Sequence, residues 1–277
     1  MKLGLSTLLF VKSTIEDAVR ATAELGADYI EVIYDMPHFP PGFDPKSLGG
    51  LKQLIDSHGL GVSIHGSFWD LNAVSHYPSL RQLIVSQTKD AIEACQVLEG
   101  DVVSVHPGFC HFKEVEALLE EAKRFYREFI AKCQPYAQER GVVLAVENTS
   151  TRASCPYTAD ELEELMKDFE GLRLTLDVAH AYLAARRQDK PTPEDEVIRM
   201  IQRFKDRLSA IHLHDNRGRW DEHLPPGEGE IDFKPIVKAL KEVDYRGPLI
   251  VELWDPENPR EAGSKGLSYT RKLLHRK

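Results

Sequence analysis

The stretch 210–229, AIHLHDNRGRWDEHLPPGEG, gathers histidines and carboxylates in an apolar-flanked strand and the loop after it. Alternate side chains of a pleated strand share a face, so Ile211 and Leu213 turn one way while His212 and His214 turn the other. Asp221 and His223 repeat the same i, i+2 spacing in Pro/Gly-rich surroundings, where an extended segment aims both at one point. Nitrogen and oxygen donors converging in this way suit zinc, manganese or a similar divalent ion.

Ligand-type residues also close the neighbouring β-rich runs. His65 ends GVSIH (61–65), His106 ends VVSVH (102–106) and Glu147 ends VVLAVE (142–147). Asp177 ends LRLTLD (172–177) with His180 three residues on, and Glu252 ends PLIVE (248–252). Taken singly, each has an ordinary explanation, because a strand-end carboxylate can cap the next helix and a histidine can tie down a loop. Taken together, the third to the eighth strand all deliver His, Glu or Asp to one rim. Anions and imidazoles crowded without a cation are electrostatically costly, and a divalent metal removes that cost.

Such a rim needs strands that end side by side. Two further runs, KLGLS (2–6) and YIEVIY (29–34), bring the predicted strands to eight, alternating with helix-period stretches near 14–25, 45–58, 79–98, 113–139, 158–168, 194–207, 233–243 and 262–275. Helix starts are signalled by Ser13 or Thr14, by Thr158 with Glu161, and by Thr192-Pro193, and helix stops by Gly26, Gly59 and Gly141. This alternation predicts a single (β/α)8 TIM barrel, an α/β fold forming one domain over 1–277, with its active face at the C-terminal strand ends. The long segments 35–44, 66–78, 148–157 and 215–232 open on that face. No G-x-G-x-x-G or P-loop follows any strand, which weakens nucleotide-binding alternatives. Glu31, out of phase with Val32, is expected inside the barrel, either in an ion pair with Arg173 or Lys2 or higher up against substrate.

Composition narrows the class. A net charge of −9 argues against general nucleic-acid affinity, which needs basic surface. No apolar run approaches the ~18 residues of a membrane span and the N-terminus lacks a convincing signal peptide, so a cytoplasmic protein with no membrane association is expected. Cys95, Cys110, Cys133 and Cys155 have no C-x-x-C spacing and are expected as free thiols.

The chain resembles the xylose isomerase-like superfamily of TIM barrels, which includes endonuclease IV and sugar isomerases and epimerases. The resemblance is carried by VHPG (105–108), VENTS (146–150), LDVAHA (176–181), HLHDN (212–216), DEHLPPGEG (221–229) and VEL (251–253). It implies a counterpart for each endonuclease IV zinc ligand: His65, His106, Glu147, Asp177, His180, His212, Asp221, His223 and Glu252. By that resemblance Glu147 bridges two metals, His65 and His106 complete one site, Asp177, His212 and Glu252 a second, and His180, Asp221 and His223 a third. Up to three zinc ions, with manganese as the alternative, would then support phosphoester hydrolysis of abasic DNA or of a smaller phosphorylated sugar or nucleotide-like substrate.

The alternative implied by the same superfamily is sugar or sugar-phosphate isomerisation or epimerisation. One or two metals would act on a small polyhydroxylated substrate, with Glu147 and Glu252 as general acid and base. Departures from endonuclease IV bear on the choice. The loop after the second strand, DMPHFPPGFD, has no Arg or Lys with which to grip DNA. Phe68 and Trp69 are candidates to stack on a base or sugar or to wall the mouth, and Arg152, Arg217 and Arg219 to bind phosphate.

Overall fold

The eight β-rich runs are buried on both faces, as required of a parallel sheet covered outside by helices and filled inside by side chains. The computed structural model describes residues 1–275. Its strands are β1 (Lys2–Ser6), β2 (Tyr29–Ile33), β3 (Gly61–His65), β4 (Val102–Val105), β5 (Val143–Glu147), β6 (Arg173–Asp177), β7 (Leu208–Leu213) and β8 (Pro248–Val251). They run parallel in sequence order and close between β8 and β1, which gives the predicted (β/α)8 TIM barrel. His106, His214 and Glu252 stand one residue past their strands rather than within them.

Around the barrel lie α1 (Ile15–Glu24), α2 (Gly49–Ser57), α3 (Pro78–Val97), α4 (Glu116–Gln138), α5 (Ala159–Asp168), α6 (Val178–Arg186), α7 (Pro193–Arg203), α8 (Phe233–Glu242) and α9 (Pro259–His275). Thr14 caps α1 by accepting from Asp17 N, and Thr158 and Glu161 form a reciprocal capping box on α5. Gly26, Gly59 and Gly141 have positive φ at the predicted stops. Thr192 precedes Pro193 at the start of α7 but makes no side-chain cap.

α6 corrects the expected sequence of elements. Its segment, VAHAYLAAR, falls between the helix-period stretches expected at 158–168 and 194–207, where no helix is expected. Almost every residue of it is buried, between the barrel and α7, so no polar face marks the period. Asp177 caps it directly, Oδ1 accepting from His180 N at 2.6 Å, and the D-x-x-H spacing is therefore also a helix start.

All four cysteines are free and buried. Among the described residues no helix is long and apolar enough to cross a membrane. Inside the barrel, Glu31, Ser63, Ser104, Thr175 and His212 form a polar layer beneath the rim, each wholly buried.

Candidate metal centre

The rim residues converge into three donor groups. Ligand atoms of Glu147, Asp177, His212 and Glu252 lie within 4.8 Å of one another, as do those of His65, His106 and Glu147, and those of His180, His214, Asp221 and His223. Glu147 joins the first two groups and faces the third. Its Oε2 lies 3.1 Å from His65 Nε2, 3.6 Å from His106 Nε2 and 3.5 Å from His212 Nδ1, while Oε1 is 3.3 Å from His180 Nδ1. All nine residues proposed as ligands from the sequence are in these groups. His214, at the strand end beside His212, joins them. Its Nε2 is 3.1 Å from Asp177 Oδ2 and its ring stacks on His223 at 3.8 Å. The alternation that placed both histidines on one face was the signal for it.

Four of the imidazoles, His65, His180, His212 and His223, have one nitrogen anchored by a hydrogen bond and the other facing the carboxylates. His65 Nδ1 is 2.9 Å from Gly66 O, His180 Nδ1 is 3.1 Å from Asn148 O and His223 Nδ1 is 3.1 Å from Glu252 O. A carbonyl oxygen only accepts, so each of these nitrogens donates. The inward atoms are then Nε2, facing Glu147 for His65 and Asp221 for His180 and His223. His212 is oriented the other way. Its Nε2 meets Glu31 Oε2 at 3.1 Å, and its Nδ1, wholly buried, has no hydrogen-bond partner although Glu147, Glu252 and Asp177 lie 3.5, 3.5 and 4.0 Å away. Metal-ligating histidines show this pattern of one nitrogen held and one presented. An orphaned imidazole nitrogen facing three carboxylates fits a divalent cation with mixed N/O ligation.

Electrostatics support the same fit. Burial pushes the Glu147 carboxyl up, but the His212, His106 and His180 imidazoles outweigh it and hold Glu147 well below the usual carboxylate range. Asp177 is likewise held down, against burial, by His180 and His214, and Asp221 is held far down by His180 and His223. Burial by itself would lower the histidines. The adjacent carboxylates reverse this, raising His65 and His223 to about 9 and His180 and His212 well above their ordinary value. His106 has no such net gain and is pushed down.

Loops fix the outer members. Asp215 accepts from the backbone N–H groups of Asn216, Gly227, Gly229 and Ile231, which folds the 215–232 segment back and presents Asp221 and His223. Asp35 Oδ2 accepts from Phe68 N and Trp69 N, holding both rings over the rim. A two-stranded antiparallel ladder, Gly108–Phe109 with Ser154–Cys155, ties the loops after β4 and β5 together.

Above the donors lies a cavity of about 320 Å³, walled by Leu8, Phe68, Trp69 and Trp254. An adjoining space of about 240 Å³ shares Phe68 and His106 and is lined by Ser67, Thr149, Ser150, Thr151 and Ser154. Neither has a lysine or arginine among its lining residues. Arg152 and Arg219 are exposed outside both, and Arg217 is spent in an ion pair with Glu222 at 2.5 Å. Glu31 also departs from expectation. Arg173 donates instead to Asp206 O, and the Lys2 ammonium lies over the Tyr29 ring, leaving His212 as the ionisable partner of Glu31.

Comparison with known proteins agrees with this architecture. The uncharacterized protein MJ1311 of Methanocaldococcus jannaschii is 30% identical over 258 residues, covering 91% of this chain and 83% of that protein. Fructoselysine 3-epimerase of Shigella flexneri is 23% identical over 265 residues, covering 91% and 90%. A solved D-tagatose 3-epimerase-like protein superposes with a TM-score of 0.82 at 28% identity, covering 99% and 98% of the two chains. Against the expectation of an endonuclease IV-like hydrolase, the activities named among these relatives are epimerisations. Residues 19–273 match the xylose isomerase-like TIM barrel family, and the chain belongs to that family.

Proposed function

We propose that the protein is a divalent-metal-dependent epimerase or isomerase of a small, uncharged, polyhydroxylated ketone or aldehyde. The observation that carries this reading is the quartet Glu147, Asp177, His212 and Glu252, gathered around the orphaned His212 Nδ1 beneath a cavity lined without lysine or arginine. The 3-epimerase names of the similar proteins support the same chemistry. A cation held by the quartet would polarise a substrate carbonyl and acidify the adjacent C–H.

The chain's own residues do the rest. Glu147 is deprotonated at neutral pH and is fixed by His65, so it serves as the base that takes the carbon-bound proton. Glu252, contributed by the other end of the β5–β8 arc, returns a proton from its own side, and the reverse reaction exchanges the two roles. Phe68, Trp69 and Trp254 offer apolar faces to a sugar ring and keep water from the reacting carbon. The serine and threonine hydroxyls of the adjoining space match further substrate hydroxyls.

A second reading, multinuclear phosphoester hydrolysis, is favoured by the two flanking donor groups, which a single-metal epimerase does not need. Weighing against it is the lack of lysine or arginine along the cavities to bind phosphate. The deciding experiment loads the protein with manganese, cobalt or zinc and incubates it in deuterated water with unphosphorylated ketohexoses and inososes. Deuterium entering next to the carbonyl is expected. Its absence across the panel, together with hydrolysis of a simple phosphodiester or of abasic duplex, would overturn the epimerase reading.

A further inference from the structure

Glu31 lies in the middle of β2, wholly buried, and the proposed chemistry has so far given it no work. Its Oε2 meets His212 Nε2 at 3.1 Å across the barrel lumen and receives the Ser63 hydroxyl at 3.4 Å, while Oε1 has no partner. The outer nitrogens of His65, His180 and His223 are held by backbone carbonyls, whereas that of His212 is held by a carboxylate. A carbonyl would have sufficed to orient the ring, and a glutamine would accept the same hydrogen bond. What the carboxylate adds is a full negative charge on the far side of the imidazole.

We propose that Glu31 is a positioning residue that fixes His212 as the Nε2–H tautomer and thereby sets the affinity of the central quartet for a divalent cation. The proposal rests on the reading of that quartet as a metal site. Its physical basis is direct. Once a cation has displaced any second proton, an imidazole that donates Nε2–H to a carboxylate carries its lone pair on Nδ1, the atom that faces Glu147, Asp177 and Glu252. Partial transfer of that proton toward Glu31 makes Nδ1 a stronger donor, and the buried charge is compensated once a cation lies beyond the ring. The partnerless Oε1 is consistent with a residue whose charge matters more than its hydrogen-bond count. A purely structural role would instead give Glu31 a fixed cation such as Arg173 or Lys2, and both have other partners.

The test compares the full-length chain with Glu31→Gln and Glu31→Ala, titrating each metal-free protein with cobalt(II) against a chromophoric chelator. Removal of such an outer partner costs about 10- to 100-fold in metal affinity, so both variants should bind cobalt that much more weakly. Glu31→Gln, nearly isosteric, should keep the melting temperature of the metal-free protein. In the zinc-loaded parent, ring nitrogen NMR should report His212 as protonated at Nε2 and ligated through Nδ1. Equal cobalt affinity in the parent and Glu31→Gln would overturn the proposal alone, as would an Nδ1–H tautomer for His212. Failure of the parent to bind cobalt at all would overturn it together with the reading of the quartet. A lowered melting temperature with unchanged affinity would assign Glu31 to the fold and not to the metal.

Discussion

Loading the metal-free protein with a divalent cation at neutral pH should release protons, and the number released should count the sites filled. Glu147, Asp177 and Asp221 contribute none, because they are already held deprotonated. The protons sit on the raised imidazoles: His212 in the central quartet, His65 in one flanking group, and His180 and His223 in the other. Filling the quartet alone therefore displaces one proton, and filling all three groups displaces four. Each displaced proton steepens the affinity by about tenfold per pH unit below the pKa of its group. A single central metal then binds about 100-fold tighter at pH 8 than at pH 6. Titration calorimetry with manganese or zinc, repeated in buffers of different ionisation enthalpy, counts the protons directly. No release, or an affinity flat from pH 6 to pH 8, would refute the reasoning, since it would mean the imidazoles are neutral before the metal arrives.

Three further outcomes follow from the same geometry. Glu252→Gln should lower the rate of epimerisation by about 10²- to 10⁴-fold while deuterium exchange at the carbon served by Glu147 survives; a rate within threefold of the parent at equal metal content would remove Glu252 from the acid–base pair. In the metal-free protein His65 and His223 have folded pKa values near 9, above the ordinary 6.5, so their stabilisation is full below about pH 6.5 and is lost as pH rises through 9. Thermal melts of the metal-free protein should therefore fall between pH 6.5 and pH 9.5 and those of the loaded protein should not, and a fall of equal size in both would contradict the assignment. Thr158→Ala breaks the capping box of α5 and should cost about 1 kcal/mol, about 2 °C in a calorimetric scan, with metal content unchanged.

The barrel was legible because six of its eight strands announce themselves twice, as short β-rich runs and as apolar runs that end in a ligand-type residue. The same doubling hid α6. Asp177 reads as the end of a strand and as a ligand, and the helix that it also caps has no polar face to mark its period. The donor groups were legible from strand ends alone, since parallel strands of one barrel must finish on one rim. The role of Arg152 and Arg217 was less legible: loop position tells which face a residue is on but not whether its side chain turns inward, and Arg217 turns to Glu222. The partner of Glu31 was equally out of reach. Pairing across the lumen depends on the height of a side chain within the barrel, and phase along β2 supplies only the direction.

The rim must also form before it is loaded. Five carboxylates, Glu31, Glu147, Asp177, Asp221 and Glu252, and six imidazoles, His65, His106, His180, His212, His214 and His223, are brought together there. Buried ion pairs give little net stability, because desolvation offsets most of their attraction. The arrangement therefore cannot be what drives the barrel to close; the apolar layer between strands and helices does that. What the fold supplies is orientation. Gly66, Asn148 and Glu252 hold His65, His180 and His223 through backbone carbonyls, which stand where the chain places them with or without a metal. A cation entering such a site displaces protons rather than side chains. The donor geometry is thus a property of the folded chain, and metal binding should stabilise it without rearranging it.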